Sequence, residues 1–206
     1  MRQMRRQAAR PGTNVTGMSW IAPETSAKRL ELLRGGAVPK LFRVAVIWDP
    51  DVRGALLDFK QLEEPARSMG VQLHSIEVSR ADDLTRGFSA IIDARAEALM
   101  VLSPNPVTFA NHGQLVSFAQ RHRLPSMYGV HEYVDGGGLM SYGASVRAAY
   151  RRAASFVDRI LKGTRPGDLP VEQPTTFELV INAKTAKALG MTIPPSLLSR
   201  ADRAID

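Results

Sequence analysis

Two hydrophobic rhythms alternate along this chain. Val44-Ala45-Val46-Ile47-Trp48 is an unbroken apolar run closed by Asp49-Pro50, and 98–102 is a second, closed by Ser103-Pro104-Asn105-Pro106. Short continuous runs ended by turn residues predict strands buried on both faces. Residues 71–78 alternate, with Val71, Leu73, Ile76 and Val78 as the apolar members, and 124–128 and 177–181 read as further short strands. Between them the period lengthens to that of a helix. Pro23 opens a helix over 23–34 with Leu30 and Leu33 inward. Leu56, Phe59, Leu62, Ala66 and Met69 share one face of the next, which Gly70 stops. Leu84, Phe88, Ile91 and Ile92 mark a third, and Leu115, Phe118 and Ala119 mark one over 112–122. Strand-helix alternation with right-handed crossovers predicts an α/β fold: a Rossmann-like parallel sheet with helices on both faces.

The rhythm breaks at Gly136-Gly137-Gly138. A long helix then runs from Ser145, an N-cap residue type, to Gly163, with Val146, Ala149, Ala153, Phe156, Val157 and Ile160 as its apolar stripe. The sheet just described offers this stripe no evident surface, so the stripe predicts either a missing partner or self-association through 145–161. Residues 164–176 are proline-rich and read as an extended connection. Asn182 caps a short helix ended by Gly190, and Pro194-Pro195 opens a final tail helix over 191–206.

Composition narrows the class without naming a function. The chain has 206 residues, 44% apolar and 23% charged, which suits a soluble globular protein. It contains no cysteine, which excludes disulfides and thiolate chemistry. The net charge of +7 is dispersed: Arg2, Arg5, Arg6 and Arg10 crowd the N-terminus, and Arg147, Arg151, Arg152 and Arg159 lie on the long helix. Few aromatics are interleaved with these charges, which argues against nucleic acid as a partner. The basic start MRQMRRQAARPG has no apolar stretch behind it, so it does not read as a secretory leader.

In open α/β sheets ligands bind beyond the carboxyl ends of the strands. That rule selects Trp48-Asp49-Pro50, Ser103-Pro104-Asn105-Pro106, Tyr128-Gly129 and Ser141-Tyr142-Gly143. Trp48, Asp49, Asn105, Tyr128 and Tyr142 are the candidate ligand-binding residues: ring faces give apolar contact and polar tips fix orientation. Asp49 could answer an amino group, or cap the helix after Pro50. Phe109 could reach a cleft or make a first-turn core contact. His74, His112, His122 and His131 show no metal-ligand spacing, so no metal and no cofactor is expected. The triple glycine lacks the spacing and the lysine-hydroxyl pair of a phosphate loop and reads as a turn. Glu63-Glu64 are helix neighbours that point apart and read as solvated surface.

Six segments together carry a family resemblance: RPGTNVTG (10–17), KRLELL (28–33), RVAVIWDP (43–50), RHRLPSMYG (121–129), GGGLMSYG (136–143) and LPVEQPTTFELVINAKTAKALGMTIPPSLL (169–198). The chain is similar here to the substrate-binding component of an uncharacterised ABC transport system. The resemblance implies one lobe of a two-lobe type I periplasmic binding protein, a small solute such as an amino acid, and an ABC permease as membrane partner. It implies no enzyme activity. It divides the chain into a remnant of the first lobe and crossover (1–19), a second ligand-binding lobe (20–140 plus 177–190), a return crossover with the helix that packs on the first lobe (141–176), and the tail helix (191–206). Family members carry a leader and a larger first lobe, so the resemblance implies a periplasmic protein here truncated; expressed as written, the chain would stay in the cytoplasm. Two other readings stand beside it: the effector-sensing domain of a regulator with the same fold, and a small α/β enzyme. The first needs a helix-turn-helix ahead of Arg10, and the ten residues through Arg10 are too few to supply it. The second needs a convergent acid, base or nucleophile, and no such set is evident.

Overall fold

A computed structural model describes residues 12, 14–19, 24–102 and 105–206. Arg2, Arg5, Arg6, Arg10, Pro23, Ser103 and Pro104, invoked above, lie outside the described residues. The elements run α1 (Glu24–Leu32), β1 (Arg43–Trp48), α2 (Arg53–Ser68), β2 (Gln72–Glu77), α3 (Asp83–Asp93), β3 (Ala98–Val101), α4 (Pro106–Ala110), α5 (His112–Arg121), β4 (Ser126–Tyr128), α6 (Glu132–Asp135), β5 (Met140–Ala144), α7 (Val146–Leu161), β6 (Phe177–Asn182), α8 (Ala183–Ala188), α9 (Pro195–Leu198) and β7 (Arg203–Ile205).

The strands form one sheet in the order β2-β1-β3-β4-β5-β6-β7. The pairs β1·β2, β1·β3, β3·β4, β4·β5 and β6·β7 are parallel. Alternation along each strand assigns the two faces. Val44, Val46, Trp48, Met100, Met127, Leu179 and Ile181 join a core with Leu30 of α1, Leu33 just after it, and Ala55, Leu62 and Ala66 of α2. The intervening residues Ala45, Ile47, Leu99 and Val101 are as fully buried but point the other way. On that face α3 comes so close that a Cβ on Gly87 would lie 2.9 Å from Ile76. Helices therefore cover both faces, the α/β Rossmann-like arrangement expected of a buried parallel sheet.

Two elements depart from the periodicity reading. The helix expected over 23–34 ends at Leu32 and widens into a π-helical turn, Leu33–Ala37, in which Val38 N–H donates to the Leu33 carbonyl at 2.8 Å. Gly36 in this turn is pressed by Leu197, whose side chain fills the place a Cβ would take. The tail is not a helix over 191–206: α9 is a single turn, and Arg203–Ile205 adds an edge strand against β6. Its residues are exposed or half-buried, so no apolar period announces it.

The chain separates into two compact units, Met1–Ala22 with Ala144–Phe177, and Pro23–Gly143 with Glu178–Asp206. The sheet belongs to the second. In the first, Met18 bridges Glu172 in parallel, and Glu172 N–H donates to the Gly17 carbonyl at 3.0 Å. Thr16 Oγ1 donates to the Leu169 carbonyl at 3.0 Å. Arg152 of α7 forks onto Glu172, Nε to Oε2 at 2.7 Å and Nη2 to Oε1 at 2.5 Å. Ser145 caps α7, accepting from Ala148 N–H at 3.3 Å. Phe156 is the buried residue of this helix; Tyr150, Val157 and Leu161 stand 74%, 55% and 82% exposed.

Candidate functional site

The residues at the carboxyl edge of the sheet fall into two groups. The first ties together the segments after β1, β2 and β3. Asp49, buried, accepts from Asp51 N–H at 3.0 Å and from Ser79 Oγ at 2.9 Å. It thus makes an Asx-type turn rather than capping α2, whose N-cap position is held by Val52. Asn105, also buried, accepts from Thr108 N–H at 2.7 Å, and Thr108 Oγ1 accepts from Asn105 N–H at 3.3 Å. This reciprocal capping box starts α4. The remaining Asn105 donor reaches the Val78 carbonyl at 3.4 Å. Asp49 and Asn105 therefore meet around Val78 and Ser79. Replacing Asn105 with alanine removes both the cap and the tie to β2 and is expected to cost about 1–2 kcal/mol of stability; urea unfolding of the variant beside the parent measures it, and a cost near zero contradicts this role.

Trp48 sits with neither. Its indole is 6% exposed, stacks on Phe59 at 4.9 Å between centroids and 16° between planes, and donates from Nε1 to Ser75 Oγ at 2.7 Å. Its ring and its polar tip are both occupied within the core, whereas the sequence placed it on the ligand side.

The two tyrosines also part. The register pairs Met127 with Met140 and Tyr128 with Ser141, so Tyr142 lies on the face of Met127 and Tyr128 on the opposite face. Tyr142 is half-buried and packs against the core shared with α1 and α2. Tyr128 is fully buried and stacks on Tyr133 at 4.7 Å. Both phenol hydroxyls are buried, and among the described residues neither has a well-aligned hydrogen bond, with the Ser126 and Thr108 hydroxyls as their polar neighbours. Burial pushes the Tyr133 phenol up to about 12, and lifts Tyr128 further, with Ser126 opposing only part of the rise. His112 and Phe109 continue this aromatic cluster outward, edge-on to Tyr133 at 5.9 and 6.4 Å. Phe109 reaches 41% exposure at its rim.

The second group was not foreseen. Arg29 of α1 is 4% exposed and donates from Nε to the Tyr142 carbonyl at 2.7 Å and from Nη1 to Ser26 Oγ at 3.4 Å. Asp58 of α2, 2% exposed, is its counter-charge. Burial lowers the guanidinium pKa to about 10, with Asp58 and Tyr142 restoring part of the loss, so the group stays a cation at neutral pH. The signal was present in the helical period: Arg29 lies beside Leu30 in the stripe that leads to Leu33, and Asp58 falls between Ala55 and Leu62. Opposite charges inside two facing apolar stripes mark a buried pair. Among the described residues no group of histidine, aspartate and glutamate could hold a metal ion, and no helix is long and apolar enough to cross a membrane.

Comparison with known proteins places this architecture. A family model described as ABC transporter substrate binding protein matches residues 2–205. A tyrosine-binding protein of Clostridioides difficile (strain R20291) is 23% identical over 183 residues, 88% of this chain and 51% of that protein. A conserved domain protein of Vibrio cholerae superposes with a TM-score of 0.87 at 26% identity, covering 98% of this chain and 67% of the other. The ABC domain from Streptococcus pneumoniae in complex with L-Trp superposes with a TM-score of 0.85 at 24% identity, covering 96% and 67%. The chain thus spans about half the length of the curated relative and two thirds of these structures.

Proposed function

Since the chain belongs to the ABC transporter substrate-binding protein family, we propose that it is the solute-recognising component of an ABC import system and that its solute is an amino acid with an aromatic side chain. The observation that carries this reading is the family match over nearly the whole chain. Two similar proteins support the solute class, one a tyrosine-binding protein and one crystallised with L-Trp. The carboxyl edge supports the place: Asp49, Ser79 and Asn105 supply polar atoms there, and Tyr142 lies in the carboxyl-terminal half of β5. Asp49, Asn105, Tyr128 and Tyr142 are the proposed contacts or supports, with Trp48 holding the end of β1 from within the core. An ABC permease is the proposed membrane partner, which places the encounter outside the cytoplasmic membrane.

The test is a titration of the isotopically labelled chain followed by amide resonances, which registers weak as well as tight binding. L-Tyrosine and L-tryptophan are expected to shift the amides of Ser79, Asn105, Gly129 and Tyr142, and D-glucose to leave them in place. Shifts produced by the sugar alone, or by none of the three, would overturn the reading.

We propose in addition that the exposed line of α7 drives self-association of this chain. Tyr150, Val157 and Leu161 follow one another at helical spacing with their apolar surface in water. Arg147, Arg151 and Arg159 flank the line, so like charges oppose its pairing until salt screens them. Sedimentation velocity is expected to show association that strengthens with ionic strength and is abolished by the pair Val157→Glu and Leu161→Glu. A monomer at all salt concentrations, with no binding of an apolar dye, would count against it.

A further inference from the structure

We propose that Arg29 is the positioning residue of the solute site: from inside the sheet unit it ties the ends of β4 and β5 together and so sets how Tyr128-Gly129 and Tyr142-Gly143 are presented. The inference rests on the carboxyl edge being the solute site. Two edges of the guanidinium are hydrogen-bonded and the third faces backbone. Nε holds the Tyr142 carbonyl at 2.7 Å and Nη1 faces Ser26 Oγ at 3.4 Å. Nη2 lies against the backbone of both strand ends: a Cβ would come within 3.3 Å of it on Gly129 and within 3.4 Å on Gly143.

The glycines follow from that approach. On Gly129 a Cβ would also meet the Leu102 carbonyl at 3.3 Å, and on Gly143 it would run into the Gly129 carbonyl itself. The two backbones are thus in direct contact with the cation beside them, and a methyl group at either place would drive them apart. A planar fork spreads its donors at fixed spacing across one plane, which the compact, rotatable ammonium of lysine does not.

The chain path gives this knot its consequence. The sheet unit begins at Pro23 and its first stretch ends at Gly143. Arg29 lies in α1, the first helix of the unit, and bonds the Tyr142 carbonyl just before the chain leaves it. Asp58 balances the charge from α2, so the knot joins α1, α2, β4 and β5. Its partner on β5 is a backbone carbonyl and its neighbours at Gly129 and Gly143 are backbone too, so the arrangement of those ends depends on Arg29 whatever side chains surround them.

Amide hydrogen exchange on the whole 206-residue chain tests this. Arg29→Lys is expected to speed exchange at Gly129 and across 141–144 by about tenfold while the amides of 44–48 stay within about twofold of the parent. Leu62→Ala, a general core lesion, is expected to move both regions together. L-Tyrosine-induced shifts at Gly129 and Tyr142 are expected to weaken in Arg29→Lys and to persist in Leu62→Ala. Should Arg29→Lys fail to fold, Gly129→Ala, which sets a methyl against Nη2, carries the same expectation for 141–144. Uniform exchange across the sheet in either variant, or exchange at 141–144 unchanged from the parent, overturns the proposal. Selective loosening in a chain that answers to no amino acid would instead keep the knot and sink the solute reading.

Discussion

Replacing Arg29 with methionine is expected to lower the free energy of unfolding by about 3–5 kcal/mol. Methionine matches the length of the side chain but removes the positive charge that acts on Asp58, itself 2% exposed. Denaturant unfolding at neutral pH measures the loss, which is a large share of the roughly 5–15 kcal/mol that holds an ordinary domain together. The companion variant, Arg29→Met with Asp58→Leu, is expected to regain most of it. The reason lies in the sign of the Arg29 shift. Burial outweighs the attraction of Asp58, so the guanidinium is less willing to be charged here than in water. Apolar residues of similar volume often replace a buried ion pair at little cost, whereas removing one charge strands the other, so the double variant is expected to lie closer to the parent than the single one. Between about 10 and the ordinary arginine value the unfolded chain binds more protons than the folded one, so this group makes stability rise with pH in that window. A double variant no more stable than the single one would contradict this account. A double variant as stable as the parent, yet with fast exchange at 141–144, would separate the positioning role of Arg29 from any contribution to stability.

Trp48→Ala is expected to cost about 3–5 kcal/mol, since it deletes a buried indole and its stack on Phe59. Trp48→Phe keeps the stack and loses the 2.7 Å hydrogen bond to Ser75, for about 1 kcal/mol. Thermal or urea unfolding reads both. In the same protein the response to L-tyrosine is expected to survive Trp48→Phe. Loss of that response at nearly unchanged stability would return Trp48 to the set of direct solute contacts.

The strands buried on both faces were the most legible part of the sequence. Val44 to Trp48 and Ala98 to Val101 are apolar without interruption because each touches helices on two sides. The helix caps at Asn182 and Ser145 were legible for a local reason, as each side chain accepts from an N–H three residues on. What escaped depends on partners distant in sequence. Trp48 looks the same from the sequence whether its ring turns to a ligand or to Phe59. Tyr128 ends β4 and Tyr142 lies in its neighbour β5, yet only the register reveals that they occupy opposite faces. Strand β7 has no apolar signature because it is held by backbone pairing to β6 at an edge. Arg29 and Asp58 were hidden by the habit of reading charge as surface, when each stood inside a helical stripe.

The sheet order has a kinetic consequence. Strands β2, β1, β3, β4 and β5 come from one continuous stretch, but the neighbour of β5 on its far side is β6, which begins only at Phe177. A nascent chain that has emerged through Ala144 can assemble five strands and is left with the backbone groups of β5 open on that side. The gap persists while α7 and the proline-rich connection emerge. During that interval β5 is a template for pairing with any other extended chain. Chains truncated within 145–176 and released are therefore expected to aggregate through β5, and chains that extend through Asn182 to do so far less.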